Sequence, residues 1–343
     1  MAEDLPTPAA GQRAQSGLTP PGRTSPGLTP PSPPGLTRPS PPGPTSPGLT
    51  PEGPALPEAL AHVPGFSPAQ AHITSLPGGG FNRSYLVRTP AGRFVVRFSP
   101  EPDSWLAADR RVERVLHGAA AAVGLAPGIV YADPADRWLI TEFVDGVAWS
   151  DASFERRECL AKLGDTLRVL HAIAPPAVGR LDLLQALGHY AQRLEQAGAG
   201  GPSGSAAREY LEQAAIAWQV SGASDRPVAV VHHDLHGSNL IQSPCGRLML
   251  IDWECAVVND PLLDVACALS YFPSARVHAD VLLEHSGLGQ VTERQLAASV
   301  WLFDLHMWLW YRERRTRRDP TPAELASEAQ RARALEGGIP SAL

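Results

Sequence analysis

The sequence has few cysteines, no long apolar run and no excess of positive charge. Its 4 cysteines form no C-x-x-C pair and show no metal-ligand spacing, so we expect reduced thiols. No apolar stretch approaches the length needed to span a bilayer, and no basic region precedes an apolar one at the N-terminus. A formal net charge of -6 argues against a dedicated nucleic-acid binder. These absences predict a soluble, cytoplasmic protein that binds no nucleic acid and does not insert into membranes.

Proline, by contrast, is concentrated in residues 1–57, which hold about half of the chain's 35 prolines in an imperfect Gly-Leu-Thr-Pro repeat. This segment has almost no large apolar residues, so burial cannot offset the entropy lost on ordering. We predict a disordered tail, partly extended as polyproline II. This tail could act as a tether or as a ligand for a proline-binding partner. The alternative, which we favour, is that it is dispensable.

Two apolar, strand-like segments of the sequence each end in polar residues. The first leads into His232-x-Asp234-x4-Asn239, and the second ends in Asp252. Phosphoryl transfer needs a carboxylate that orients and deprotonates the attacking hydroxyl, and an amide and a second carboxylate that hold Mg²⁺. The Asp234-to-Asn239 spacing is that of the protein-kinase catalytic loop. We predict Asp234 as the base and Asn239 and Asp252 as metal ligands, the alternative being two ordinary buried strands with scattered polar ends.

These motifs resemble those of the protein-kinase-like small-molecule phosphotransferases, which include aminoglycoside phosphotransferases and choline, ethanolamine and thiamine kinases. The form Ile-Asp-Trp-Glu around Asp252 is most similar to the choline and thiamine branch. The resemblance implies a bilobal α+β fold. Residues 58–145 would form an N-terminal lobe with a five-stranded antiparallel sheet and one helix, and residues 146–343 a larger, mainly helical lobe. It also implies phosphate transfer from ATP, with Mg²⁺, to the hydroxyl of a small molecule.

A glycine-rich turn separates two strand-like segments near the start of this region. It contains Gly78, Gly79 and Gly80, followed by Asn82. Glycine lets the backbone approach phosphate oxygens closely and present N–H groups to them, so the turn predicts a flap over the nucleotide. It is not a Walker loop, because no Gly-Lys-Ser/Thr and no helix follow. An ordinary hairpin is the alternative, but the turn resembles the Gly-Gly-x-x-Asn loop of choline-type kinases.

The third strand carries Arg97 where kinases place a phosphate-binding lysine. A guanidinium group can bind phosphate through two hydrogen bonds, and the resembling kinases also tend to carry arginine there. An exposed strand arginine is the alternative. The next segment predicts a helix over residues 103–123, on which Glu113 is positioned to pair with Arg97. Glu113 is otherwise a solvated neighbour of Arg110 or Arg114.

Two further strands, over residues 128–131 and 137–143, complete the predicted sheet. By resemblance, the backbone from Glu142 to Val144 forms a hinge that hydrogen-bonds adenine. Because the backbone reads the base, side chains do not distinguish ATP from GTP.

Helical spacing dominates from residue 150 onward and predicts the second lobe. Within it, His171 is interpreted as a structural residue at a helix end. The resemblance implies that Asp264 supports the catalytic region.

The acceptor site is predicted from a tryptophan-rich helix over residues 301–311, with Asp304, Trp308 and Tyr311 as candidate residues. Aromatic faces beside a carboxylate suit a cation with little hydrogen-bonding capacity. The alternative is a buried helix whose tryptophans belong only to the core. We favour thiamine over choline or ethanolamine as the acceptor. Few acidic residues here disfavour an aminoglycoside, and a non-catalytic nucleotide-binding scaffold is disfavoured because the base and both metal ligands are present.

Overall fold

The computed structural model describes residues 55–76, 82–99, 109–198 and 202–341. The proline-rich segment up to residue 54 and the predicted phosphate loop at Gly78, Gly79 and Gly80 lie outside these residues. The first helix, α1, spans Leu56–Leu60, so the last two residues assigned to the tail are helical. Within the described ranges, no helix is both long enough and apolar enough to cross a membrane.

The N-terminal lobe is built on the predicted five-stranded antiparallel sheet. Its strands are β1 His72–Leu76, β2 Arg83–Thr89, β3 Gly92–Phe98, β4 Ile129–Ala132 and β5 Trp138–Glu142, in the order β1-β2-β3-β5-β4. Alternate residues of β3 point to one core, where Phe94, Val96 and Phe98 are buried. Leu56 and Leu60 of α1 pack into the same core. The opposite side chains, including Arg97, therefore face the rest of the molecule.

Helix α2 spans Arg110–Ala122 and begins later than predicted. Asp109 caps it, because its carboxylate accepts the N–H groups of Arg111 at 3.0 Å and Val112 at 3.3 Å. The expected start near residue 103 is corrected by this cap. The inward face of α2 carries Glu113, which is 2% exposed.

The second lobe is mainly helical, as predicted. Its helices are α3 Arg157–His171, α4 Leu183–Gln196, α5 Pro202–Ser221, α6 Leu262–Tyr271, α7 Ala279–Ser286, α8 Glu293–Arg315 and α9 Pro322–Leu335. Short strands carry the motif loops: β6 Val147–Ala148, β7 Ala229–Val231, β8 Leu240–Gln242, β9 Leu248–Leu250 and β10 Val257–Asn259. Strand β7 pairs with β10, and β8 lies between β6 and β9. These pairings bring the two motif loops together.

Helix α8 is buried on two sides, which explains its unusual run of aromatic residues. One side, with Phe303 and Met307, packs into the core cluster that contains α3 and α6. The other side, with Trp301 and Trp308, packs into a separate cluster with α4 and α5. The two sides of α8 therefore have different neighbours, and only one of them faces the motif loops.

Candidate active site

The first motif loop leaves buried strand β7 at His232 and is held in an uncommon backbone conformation. His233 has a φ of 63°, a left-handed value that side-chain-bearing residues adopt only when their surroundings impose it. Asp264, in the first turn of α6, accepts the backbone N–H groups of His232 at 3.1 Å and His233 at 2.8 Å. The predicted supporting role of Asp264 is thus confirmed.

His171 completes this support, since its Nε2 lies 3.0 Å from Asp264 Oδ2. Burial raises the pKa of Asp264, but the hydrogen bond and charge of His171 and the backbone N–H groups outweigh it and hold the pKa below its ordinary value. Asp264 is therefore ionised and can accept all three hydrogen bonds. His171 acts on the loop through Asp264, in keeping with its predicted structural role.

Asp234 follows this loop and is fixed by three side chains. Asn239 Nδ2 donates to the backbone oxygen and to Oδ2 of Asp234, both at 2.9 Å. Tyr271 Oη donates to Oδ1 at 2.9 Å, and His236 Nε2 lies 3.5 Å from Oδ2. Burial raises the pKa of Asp234, but His236 and Tyr271 together lower it below its ordinary value. The carboxylate is thus ionised and oriented.

The sequence analysis does not predict that Tyr271 and His236 contact Asp234. A signal for Tyr271 was available, because it follows Asp264 by seven positions. Residues seven apart lie on the same face of a helix, so α6 presents both side chains to the motif loop.

The second motif loop is tied to the first through backbone atoms. Ile251 N–H donates to the oxygen of Asn239 at 3.0 Å, and His232 Nε2 donates to the oxygen of Ile251 at 3.0 Å. Asp252 then takes a left-handed φ of 61°. Trp253 anchors the turn, since it is fully buried and its Nε1 donates to Leu250 O at 3.0 Å. Asp252 is therefore held in place from both sides.

Arg97 links the two lobes at Asp252. Its Nη1 lies 2.8 Å from Asp252 Oδ1, and its other terminal nitrogen forms an ion pair with Glu113. The predicted pair of Arg97 and Glu113 is confirmed. Arg110 Nη1 joins the network, 2.8 Å from Glu113 Oε2 and 3.1 Å from Glu254 Oε2. Glu113 therefore binds both arginines, and the alternative in which it was only a solvated neighbour of Arg110 is wrong.

This network contains more carboxylates than guanidinium groups. Burial, together with the charges of Glu254, Asp234 and Glu113, raises the pKa of Asp252 to about 7 and outweighs the opposing effect of Arg97. Such crowding favours a bound cation. Asn82, predicted to face the phosphates, donates from Nδ2 to Glu254 Oε2 at 2.9 Å.

In the predicted hinge, residues 142–144, one backbone N–H is available to bind a ligand. Glu142 N–H donates to Gly128 O at 2.9 Å, and Phe143 N–H donates to Arg93 O at 3.0 Å. In the described ranges the N–H of Val144 has no hydrogen-bond partner. Of the two residues predicted to bind adenine, Val144 can therefore donate from its backbone, whereas the N–H of Glu142 is already engaged.

The structure separates the three residues predicted to bind the acceptor. Asp304 is 4% exposed and accepts a hydrogen bond from Ser270 Oγ at 2.5 Å. Trp308 lies on the side of α8 that faces α5, with its ring centroid 5.4 Å from that of Tyr210. Tyr311 is partly buried against the same core cluster as Tyr271. Tyr311 therefore lies on the same side of α8 as Tyr271, whereas Trp308 lies in the other cluster.

Comparison with known proteins agrees with this geometry. Residues 72–297 match the APH phosphotransferase enzyme family. A thiamine kinase from Shigella boydii is 27% identical over 263 residues, covering 74% of this chain and 86% of that protein. A choline/ethanolamine kinase family protein from Mesorhizobium loti has a TM-score of 0.65 at 22% identity, covering 81% and 91% of the two chains. A choline kinase from Streptococcus pneumoniae has a TM-score of 0.64 at 21% identity, covering 77% and 92%.

The two structural likenesses show the bilobal kinase-like fold. The match to the family covers well over half of the chain and includes both motif loops. The chain therefore belongs to the APH phosphotransferase enzyme family, and it is a small-molecule kinase.

Proposed function

We propose that this protein transfers the terminal phosphate of ATP, with Mg²⁺, to the hydroxyl of a small molecule and that Asp234 is the base. The observation that carries the proposal is the fixed carboxylate of Asp234, held at 2.9 Å by both Asn239 and Tyr271. A carboxylate with a lowered pKa stays ionised and can accept the hydrogen bond of an incoming hydroxyl.

In the proposed reaction, Asp234 orients the acceptor O–H toward the terminal phosphorus. The acceptor oxygen forms a bond to phosphorus, the bond to ADP breaks, and the proton passes to Asp234. Arg97 binds the phosphates of the nucleotide, and Asn82 and the glycine turn that precedes it are further candidates for phosphate binding. The N–H of Val144 binds adenine.

The residues around Asp252 fit a magnesium ion. Asn239 and Asp252 would supply oxygen ligands. Burial, followed by the charge of Glu254, raises the pKa of Asp252, and a bound cation would favour its ionised form. Among the residues described, no group of three or more His, Cys, Asp or Glu side chains is arranged to hold a metal by itself. Mg²⁺ in kinases takes one or two protein ligands and completes its shell with phosphate and water oxygens. When bound, the ion would neutralise charge on the transferred phosphate.

Thiamine is the acceptor that we favour within this proposal. The thiamine kinase from Shigella boydii supports it, because the similarity spans most of both chains. The fold alone does not choose between acceptors, since the structural neighbours include choline kinases.

The test is an ADP-release assay with ATP and Mg²⁺ across thiamine, choline, ethanolamine and kanamycin. We expect turnover with thiamine that stops when EDTA removes the metal. Turnover with kanamycin alone would replace the proposal by antibiotic modification. Nucleotide binding without turnover on any acceptor would favour a non-catalytic scaffold.

We further propose that residues 1–54 take no part in catalysis. A chain that begins at residue 55 keeps Leu56 and Leu60, which pack in the N-terminal core. It should retain kcat and both KM values. A severalfold loss in any of them would assign the tail a role in the enzyme.

A further inference from the structure

A buried arginine lies one aromatic ring away from the catalytic carboxylate. Arg331, on α9, is 2% exposed. Its Cζ lies 5.2 Å from the centroid of the Tyr271 ring and 6.0 Å from that of Tyr311. The hydroxyl of the same Tyr271 donates to Asp234. The guanidinium group therefore covers a ring that borders the place where an acceptor hydroxyl must lie.

Arg331 is poorly paired for so buried a cation. Among the described residues, its Nε and Nη2 have no hydrogen-bond partner. Its carboxylate neighbour is Asp304, at 4.0 Å, which also lies 4.0 Å from Arg276 and accepts a hydrogen bond from Ser270. Two guanidinium groups thus share one carboxylate, which leaves an excess of positive charge. Buried arginines are normally paired, and an unsatisfied buried N–H is destabilising.

Two buried histidines near Arg331 are neutral, and each has a ring nitrogen without a hydrogen-bond partner in the described residues. His233 and His306 stack with ring centroids 5.2 Å apart, and each is less than one tenth exposed. Burial, together with His233 and Arg331, lowers the pKa of His306 to about 3. His233 Nε2 and His306 Nδ1 are without hydrogen-bond partners in the described part of the chain. Polar atoms from three separate elements therefore converge here unpaired, a pattern that calls for a ligand or water.

We propose that Arg331 determines acceptor specificity by donating hydrogen bonds to an electron-rich group of the acceptor, separate from the hydroxyl that is phosphorylated. An unprotonated heteroaromatic nitrogen or a carboxylate oxygen would fill this role. The inference rests on the proposed kinase function and narrows its acceptor.

The same geometry disfavours acceptors that carry only a quaternary ammonium group. Such a cation binds over an aromatic face, but Arg331 already covers the ring of Tyr271. It would also leave the N–H groups of Arg331 unpaired. A site lined by hydrogen-bonding groups strongly rejects an analogue that cannot pair with them. An apolar pocket discriminates much less between ligands that differ only in size.

The test compares two acceptors that differ in one ring. Thiamine and 3-benzyl-5-(2-hydroxyethyl)-4-methylthiazolium share the thiazolium and the hydroxyethyl group, but phenyl replaces the aminopyrimidine in the second. We expect the wild-type protein to favour thiamine by about tenfold or more in kcat/KM, the effect of a hydrogen bond to a charged donor. Arg331→Met should abolish this preference through the acceptor KM and leave the KM for ATP unchanged. Arg333→Met, an exposed change on the same helix, is the matched control.

Pantothenate, an alcohol with a carboxylate, and choline complete the panel. Turnover of pantothenate that Arg331→Met removes would identify a carboxylate as the electron-rich group. Equal kcat/KM for thiamine, the benzyl analogue and choline in the wild type would overturn the inference. A thiamine preference that persists in Arg331→Met would also overturn it.

Two further measurements distinguish a failure of the Arg331 inference from a folding defect and from a failure of the kinase proposal. Arg331→Lys keeps the charge but loses the planar donor pair, so it should fold and show a partial loss of preference even if Arg331→Met does not fold. Acceptor-induced shifts in melting temperature do not require turnover. If the wild type transfers no phosphate, the kinase proposal fails. A shift with thiamine or pantothenate that Arg331→Lys reduces would then still support Arg331, and no shift with any acceptor would overturn its role.

Discussion

The two sides of Asp234 differ in the sign of their charge. The side that we assign to the nucleotide is acidic, and its carboxylates outnumber its cations: Glu113, Asp252 and Glu254 against Arg97 and Arg110. The side that we assign to the acceptor carries excess positive charge from Arg276 and Arg331 around Asp304. The acidic side is suited to a metal ion, and the basic side to an electron-rich group. This difference in charge would let the two proposed substrates bind on separate sides of Asp234.

The two sides also differ in how they relate to the family. The match ends at residue 297, so it includes the acidic side and both motif loops but stops before Asp304 and Arg331. The proposed base and metal ligands therefore lie in the shared region, whereas Asp304 and Arg331, on α8 and α9, lie beyond it.

The largest expected effect on activity is at Asp234, where the acidic and basic sides meet. Asp234→Ala removes the proposed base, so kcat should fall by about a hundred- to ten-thousandfold, the usual contribution of general base catalysis. ATP affinity should change little, because the proposed nucleotide contacts are Arg97 and Val144 instead. Steady-state kinetics and a nucleotide-binding titration measure the two quantities. Wild-type activity in this variant would refute the mechanism.

The acidic side should depend strongly on its buried ion pair. Glu113→Gln removes the buried carboxylate that binds both Arg97 and Arg110, at a site that is 2% exposed, and should lower the free energy of unfolding by about 3 kcal/mol. The control is Arg93→Gln, whose partner Asp145 is half exposed, and which should cost less than about 1 kcal/mol. Urea titration measures both. Equal losses would contradict the assigned difference in burial.

Sequence patterns predicted the acidic side well, because its signals are local. The spacing of Asp234 and Asn239 and the strand before Asp252 each lie within a short segment. Even the pair of Arg97 and Glu113 was accessible, since strand alternation and helix periodicity orient both residues. The start of α2 was predicted too early because Asp109, rather than an earlier polar residue, caps it.

The basic side was poorly predicted because its contacts join distant segments. Asp304 and Trp308 lie on one aromatic helix, and periodicity alone does not reveal which side of a fully buried helix faces a site. Arg331 lies on a different helix in a sequence rich in arginine, so its burial has no local signal. Only the packing of α9 against Tyr271 identifies it.

The free energy of unfolding of the protein should fall in acid because His306, on the basic side, is buried as a neutral ring. Its pKa of about 3 in the folded state is below that of an unfolded histidine, so the unfolded chain binds the proton first as pH falls. This contribution is complete above about pH 6.5 and declines toward pH 3. His306→Gln removes it, so the stability difference between wild type and variant should change by about 2 kcal/mol between pH 7.5 and pH 5. A pH-independent difference would show that His306 is not buried as a neutral ring.

The smallest effect on acceptor binding is expected at Trp308, although its aromatic ring and position made it a candidate in the sequence. The ring packs against Tyr210 and the α4–α5 cluster, on the side of α8 opposite to Phe303 and Met307. Trp308→Phe should therefore lower the melting temperature by a few degrees through lost packing and leave the acceptor KM unchanged. Tyr271→Leu, on the facing side, should raise that KM. If Trp308→Phe raised the acceptor KM as much as Tyr271→Leu, the acceptor would lie between α8 and α5, and the assignment of the basic side to acceptor binding would fall with it.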